Sequence, residues 1–549
     1  MSDQHPYVSK AASLLSEGRA TRREFLRTVT LLGTAAATAY AMADNILPEA
    51  RAQESQPTFK PGGEVKLGMR VDDVTKPFQV DSAQKSNIIR QTLDHLTRTG
   101  ADNITRPHIV TNWDVSEDLK TWTLKLRDDV TFNSGRKFTA EDVVWNLKFA
   151  LDDVNGSSSI GLFKSYMLNE EKSGDKKKLT LWDANAIEKV DDFTVRLNLK
   201  TPQLAVPEHL FHTALPMMDP ESNGNFGVGA NGTGAFEVVE FQPRDRIVYK
   251  ARANHWGKKP TLETFAFFDL GDNANTAIAA LSSKQIDGLY EADASQVDVL
   301  GKFPDLKYYE IATSTTGVIR GKCDTKPFDD PRVRKALRLA TDSDAILQLS
   351  LRGRGKVGEH HHVAPVNPEY APLAPMKRDV SEAKRLLAEA GYANGLDLEL
   401  NVPADYAYLL NMAQGIVPQW AEANVRVQLK VLPGAQYWEV WDKVPFGVTR
   451  WSHRPLAIML MALAYRTGTP WNESSYSNPK LDELLGKAES TVDIEQRRAV
   501  MKDIELLMQE DGPIVQPIWK ANYTYLRSNI GGFQMHPSGY IFGEELGLV

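Results

Sequence analysis

The chain has 549 residues, 42% hydrophobic and 25% charged, with a net charge of −7. That length exceeds what one hydrophobic core supports, and it predicts two or three domains of ordinary soluble composition. The mild acidity excludes a nucleic-acid surface, which needs a basic face, and supplies no polybasic membrane anchor.

In chain order, residues 21–27 read TRREFLR, followed by TVTLLGTAAATAYAMA and then EARAQES. Paired arginines, Arg22 and Arg23, ahead of a short Ala- and Thr-rich run with an A-x-A site at Ala50 and Ala52, predict an export signal. With Phe25 and Leu26 behind the pair, the signal resembles the twin-arginine type. A membrane span needs about 20 apolar residues, and Asp44 interrupts this run too early. Residues 1–52 are therefore expected to be a signal peptide, cleaved after Ala52, with the twin-arginine translocase as its reader and a periplasmic mature chain. The single cysteine, Cys323, cannot form an internal disulfide and reads as a buried small apolar residue.

GGEVKLGM (62–69) predicts the first strand of the mature chain, and the alternation of TWTLKLRDDVTF (121–132) predicts another, ending at Asn133-Ser134-Gly135. Thr139 caps a helix with Asp142 three residues on, and Val143, Leu147 and Leu151 share its face. GVGANGTG (227–234) then places Gly227, Gly229 and Gly232 on the G-x-G-x-x-G spacing of dinucleotide sites. That chemistry needs a strand before the glycines and a helix after them. Here turn residues precede, and AFEVVEFQPRDRIVYKA reads as two strands joined at Pro243-Arg244-Asp245, so the glycines predict a tight entry into a hairpin. Helix starts follow at Asp330-Pro331, Asp379 (with Glu382) and Asp493, and stops at Gly391 and Gly512-Pro513. LDLELNV (396–402) and RVQLKVL (426–432) predict strands between them. The pattern is mixed α/β over several domains, without the strict alternation of a barrel.

Five stretches in order carry a family resemblance: 113–148, from WDVSEDLK to VVWNLK; NGTGAFEVVEF with ARANHWGKKP; KPFDDPRVRKALRLATD; EAKRLLAEAGYANG; and NESSYSNPKLDELL. Together they resemble the large solute-binding proteins of ABC importers that include oligopeptide-, dipeptide- and nickel-binding proteins. The resemblance implies an α/β, two-lobed periplasmic binding protein whose hinged lobes close on ligand, plus a domain inserted in the first lobe. The implied boundaries are 53–103, 186–312 and 521–549 for the first lobe, 104–185 for the insert and 313–520 for the second lobe. It also implies a monomer that delivers solute to an ABC permease in the inner membrane.

In peptide binders of that family the second lobe often carries G-W-x-x-D, whose acid pairs with the ligand's ammonium group. The aligned stretch here is TRWSHRPLA, so Arg450, Trp451, His453 and Arg454 become ligand candidates and the acid is missing. An arginine fork suits a carboxylate, phosphate or sulfate. Trp471, Asn472 and Glu473 in PWNESSY are further candidates, Glu473 as a substitute ammonium partner and Asn472 otherwise as a turn cap. Arg70 and Asp73 are candidates by position after the first strand. EHHHVAP (359–365) reads as a surface loop from which His362 reaches ligand; adjacent side chains point to opposite faces, so the run cannot give one ion three ligands. No metal, cofactor or catalytic residue is expected, since G-x-S-x-G, H-E-x-x-H and C-x-x-C are all missing. The rival class is an exported cofactor-dependent enzyme, folded before twin-arginine export. Peptides, amino-acid conjugates and oligosaccharides all remain open as ligands.

Overall fold

The computed structural model describes residues 5–47, 58–173, 176–271 and 273–549; the expected cleavage site at Ala52 lies outside the described residues. Two compact units make up the protein. Unit 1 comprises Met1–Ala292, Val299–Tyr309 and Tyr523–Val549, and unit 2 comprises Asp293–Asp298 and Glu310–Asn522.

In unit 1 the strand Glu64–Gly68 pairs in parallel with Thr264–Phe268 on one side and with Gly288–Leu289 on the other. Its inward residues Val65 and Leu67 are fully buried, as its alternation predicts. The hairpin Phe236–Gln242 and Arg246–Ala251 extends this sheet by pairing with Thr264–Phe268. The glycine loop before it has a packing reason. A Cβ on Gly232 would lie 1.9 Å from the carbonyl oxygen of Thr92, and one on Gly234 would lie 2.7 Å from that residue's carbonyl carbon. Only glycine allows backbone to pass backbone so closely.

A second, four-stranded antiparallel sheet orders Val110–Val115, Thr121–Leu126, Thr194–Asn198 and Ile187–Asp191. The helix Ala140–Leu151 packs against its last two strands and starts with the expected Thr139–Asp142 capping box. Thr194–Asn198 is an inner strand bonded on both edges, so this sheet joins strands from both sides of residue 185.

Residues 523–549 return to unit 1. The Asn87 amide donates to the Gly539 carbonyl (2.9 Å), the Gln91 amide to that of Ile541 (2.9 Å), and Arg98 pairs with Glu544 (2.8 Å) and Glu545 (2.6 Å). The described part of residues 1–52 is also ordered, as helices Tyr7–Ser16, Arg22–Leu31 and Ala36–Ile46.

In unit 2 the strand Phe446–Trp451 pairs antiparallel with Thr316–Gly321 and touches Leu396–Pro403 in parallel register. Leu396–Pro403 in turn runs parallel to Val425–Leu432, with the helix Ala407–Ala421 as the crossover that parallel strands require. Leu409, Met412, Ile416 and Trp420 of that helix pack with Val333, Leu337, Leu400 and Val448. Each fully buried aliphatic side chain there contributes about 1.5–3 kcal/mol. The helix Ile494–Asp511 starts on Asp493 and ends against two arginines. Arg334 donates to the carbonyl (2.7 Å) and carboxylate (2.6 Å) of Asp511, while Arg338 donates to the carbonyls of Glu510 (3.0 Å) and Gly512 (2.5 Å). Cations at a helix C-terminus complement its dipole, and burial pushes the Arg338 guanidinium down to about 10. No described helix is long and apolar enough to cross a membrane.

Candidate functional site

Strand Phe446–Trp451 ends in unit 2 at the tryptophan singled out by the sequence. Trp451 is 4% exposed, and its indole N–H donates to Glu473 Oε1 at 2.9 Å. Glu473 Oε2 accepts from Arg320 Nε at 2.8 Å and from the Thr449 hydroxyl. Arg320 itself is fully buried and also donates to the carbonyls of Val444 (2.8 Å) and Trp441. Glu473, expected as a substitute ammonium partner, has its carboxylate engaged by the protein's own side chains. Its carboxylate is already held by three internal donors, and its work is to position Trp451. Buried charge demands this arrangement, because an unpaired carboxylate in such a place costs several kcal/mol.

Aromatic rings surround Trp451. Trp471 meets it edge-on at 6.0 Å and His362 at 5.9 Å, while His362 lies 5.7 Å from Tyr465 and 6.0 Å from Trp519. The His362 ring is 1% exposed, and burial holds its imidazole down to about 3, so it is neutral. Burial pushes the Tyr465 phenol well up, so the phenol stays protonated, and its oxygen shares a hydrogen bond with His362 Nδ1 at 2.6 Å. The histidine run is not the surface loop expected from sequence: His360, His361 and His362 are all buried. His360 and His362 take left-handed backbone (φ 61° and 63°), which sends the three rings apart. His360 Nδ1 accepts from the backbone N–H of Gln516 at 3.0 Å, and His361 Nε2 faces Glu359 at 3.5 Å.

The loop after the strand is also built inward. His453 Nδ1 accepts from the backbone amide (3.0 Å) and hydroxyl (2.9 Å) of Ser314, so this nitrogen holds the loop to the neighbouring strand. Arg454 is 7% exposed and donates to the His453 carbonyl at 3.1 Å. Arg450 is half-buried with its guanidinium 4.8 Å above the Tyr406 ring. Asn472 closes its own turn, donating to the carbonyls of Arg466 and Tyr476 and accepting from Ser474 and Tyr476, as a turn cap does. Arg70 and Asp73 belong to unit 1, the first half-buried and the second exposed. Arg320, Thr449, Tyr465 and Trp519 escaped the sequence reading; an arginine inside the buried strand TTGVIRG was the one available signal. Cys323 is half-buried, and burial pushes its thiol up to about 11, away from the reactive thiolate. The arrangement as a whole is a buried cluster of aromatic rings packed around Trp451 and fixed by the Glu473–Arg320 pair.

Residues 105–472 match the bacterial extracellular solute-binding proteins, family 5. The chain belongs to that family. The family 5 protein is 27% identical over 460 residues to the glutathione-binding protein GsiB of Pectobacterium atrosepticum, covering 80% of this chain and 84% of that one. Among solved structures it resembles the oligopeptide-binding protein AppA of Bacillus subtilis in complex with a nonapeptide, with a TM-score of 0.76 and 20% identity over 90% of this chain and 100% of that one. It also resembles the binding protein AgaA of A. tumefaciens R10 in complex with agropinic acid, with a TM-score of 0.78 and 22% identity over 89% and 99%. The family 5 protein thus has the α/β, two-lobed fold of periplasmic binding proteins.

Proposed function

We propose that this family 5 protein is the solute-capturing component of an ABC importer, taking up a peptide-like molecule or amino-acid conjugate that carries an anionic or strongly accepting group. The family match over residues 105–472 carries the importer role. The ligand's polarity rests on the residues after Trp451, where Ser452-His453-Arg454 stand in place of the acid that grips an ammonium group in the family's peptide binders. A cation in a poorly hydrated site repels an ammonium group and favours a carboxylate, with charge-assisted bonds of roughly 1.5–3 kcal/mol. Glutathione and agropinic acid, named for the relatives, fit that polarity; an oligosaccharide has no such support. The first lobe would be built from unit 1 and the second from unit 2, with an inserted domain running to about residue 199. Ligand binds by stabilising the closed lobes, and the closed form is the one the permease reads. Arg22 and Arg23 would direct export of the folded chain through the twin-arginine translocase to the periplasm.

Mass spectrometry of small molecules released on unfolding the purified protein tests this reading. A carboxylate-bearing peptide or conjugate is expected, together with a smaller radius of gyration when it is added back. A purely cationic ligand would overturn the proposed polarity.

A further inference from the structure

We propose that the face of unit 1 formed by Asn103, Arg106 and Trp113 is a docking surface for the chain's own leader, residues 22–46, so that the precursor carries its export motif folded onto its body. This rests on the export reading above.

The contacts come from both partners. The Trp113 indole N–H donates to the carbonyl of Leu31 at 2.9 Å. That carbonyl is one of those a helix leaves without an internal partner at its C-terminus, so the body caps the leader helix. Arg27 Nε donates back to the carbonyl of Asn103 at 3.1 Å, in a buried contact. Arg106 donates to the Tyr40 hydroxyl at 2.5 Å, and its guanidinium lies 5.7 Å above that ring. Between these anchors the chain passes very close to the body. Gly33 has a φ of +89°, and a Cβ there would lie 2.2 Å from the carbonyl oxygen of Trp113. Phe25 and Val29 on the leader helix, and Ala39 and Ala43 on the next, are at most 1% exposed.

The leader's own fold separates the two arginines. Arg22 pairs with Asp44 at 2.5 Å and also donates to the carbonyl of Leu47, leaving its side chain 12% exposed, while Arg23 is exposed. A receptor that reads the pair needs Arg22 released, so the leader's own helices must part before it is read. A ten-residue helix such as Arg22–Leu31 is marginal alone in water, so its persistence in the precursor measures docking.

Hydrogen exchange with mass spectrometry on the purified full-length chain is the test. Amides of residues 26–32 should exchange about tenfold or more slowly than in an unstructured chain. Gly33→Ala, which cannot adopt the docked path, should return them to nearly unstructured rates. Arg106→Ala, which leaves the leader sequence intact, should lower protection of Ala36–Ile46. A wild-type leader that exchanges at unstructured rates, or a Gly33→Ala variant that keeps full protection, overturns the proposal. Neither result depends on export, which is measured separately on Arg22 and Arg23; normal export after their loss would remove the export reading and leave the docking measurement standing.

Discussion

Glu473→Gln should be among the most destabilising single substitutions in unit 2. The side chains of Arg320 and Glu473 are 0% and 4% exposed, so solvent screens almost nothing of their interaction. The substitution leaves Arg320 as a buried cation beside a neutral amide, and it turns an NH2 group either toward the Trp451 donor or toward the Arg320 and Thr449 donors. Breaking a buried ion pair by removing one partner costs about 3–5 kcal/mol. Folded domains hold only about 5–15 kcal/mol in total, so the variant should fold but sit near its limit. Urea unfolding followed by circular dichroism is the assay, with the midpoint lowered and the slope unchanged. The double variant Arg320→Met with Glu473→Leu should recover a large part of the loss, because two apolar groups leave no buried charge behind. A loss below about 1 kcal/mol for Glu473→Gln, the size typical of exposed pairs, would refute the reasoning.

Arg454→Ala should weaken binding of the identified ligand by about tenfold or more while folding normally, and calorimetry decides it; native affinity would make Arg454 a structural charge only. Burial, with Glu359 and Glu369 nearby, pushes the Glu505 carboxyl from 4.5 up to about 8. Between those values the unfolded chain binds fewer protons than the folded one, so this residue's effect is to lower stability as pH rises, by up to about 1.4 kcal/mol per pH unit. Glu505→Gln should therefore gain urea resistance at pH 8 relative to wild type and show little gain at pH 4.5; equal gains at both would remove the assignment. Arg22→Lys with Arg23→Lys should block appearance of the processed chain in the periplasm, since a receptor reads the pair, and unimpaired processing would end the twin-arginine reading.

Helix ends were legible because their chemistry is local. Thr139 with Asp142, Asp379 with Glu382, and Asp493 each cap the helix that their spacing announces, and Gly391 sits at a φ of 94° where the helix from Val380 stops. Strands with period-two alternation, such as Leu396–Pro403 and Val425–Leu432, were legible for the same reason. Partnerships across long sequence separations were not. Glu473 finds Arg320 at 153 residues' distance, and His362 finds Tyr465 at 103, so neither side chain's role could be read from its neighbours. The histidines looked exposed because three adjacent polar rings usually are, and only the left-handed backbone at His360 and His362 folds them inside. Trp451 was legible through the family pattern, while the polar frame that fixes it was not.

The return of residues 523–549 to unit 1 has a consequence for synthesis. Unit 2 is complete once residue 522 has emerged from the ribosome, whereas unit 1 still lacks the segment that bonds Asn87, Gln91 and Arg98. Domains made during translation usually mature from the N-terminal end. Here the order inverts: the unit that begins first finishes second, and its Asn87, Gln91 and Arg98 wait for their partners while more than two hundred residues of the other unit are made. Nascent unit 1 is therefore the part of this chain most in need of a chaperone, and truncation within 523–549 should injure the N-terminal half of the protein before it touches unit 2.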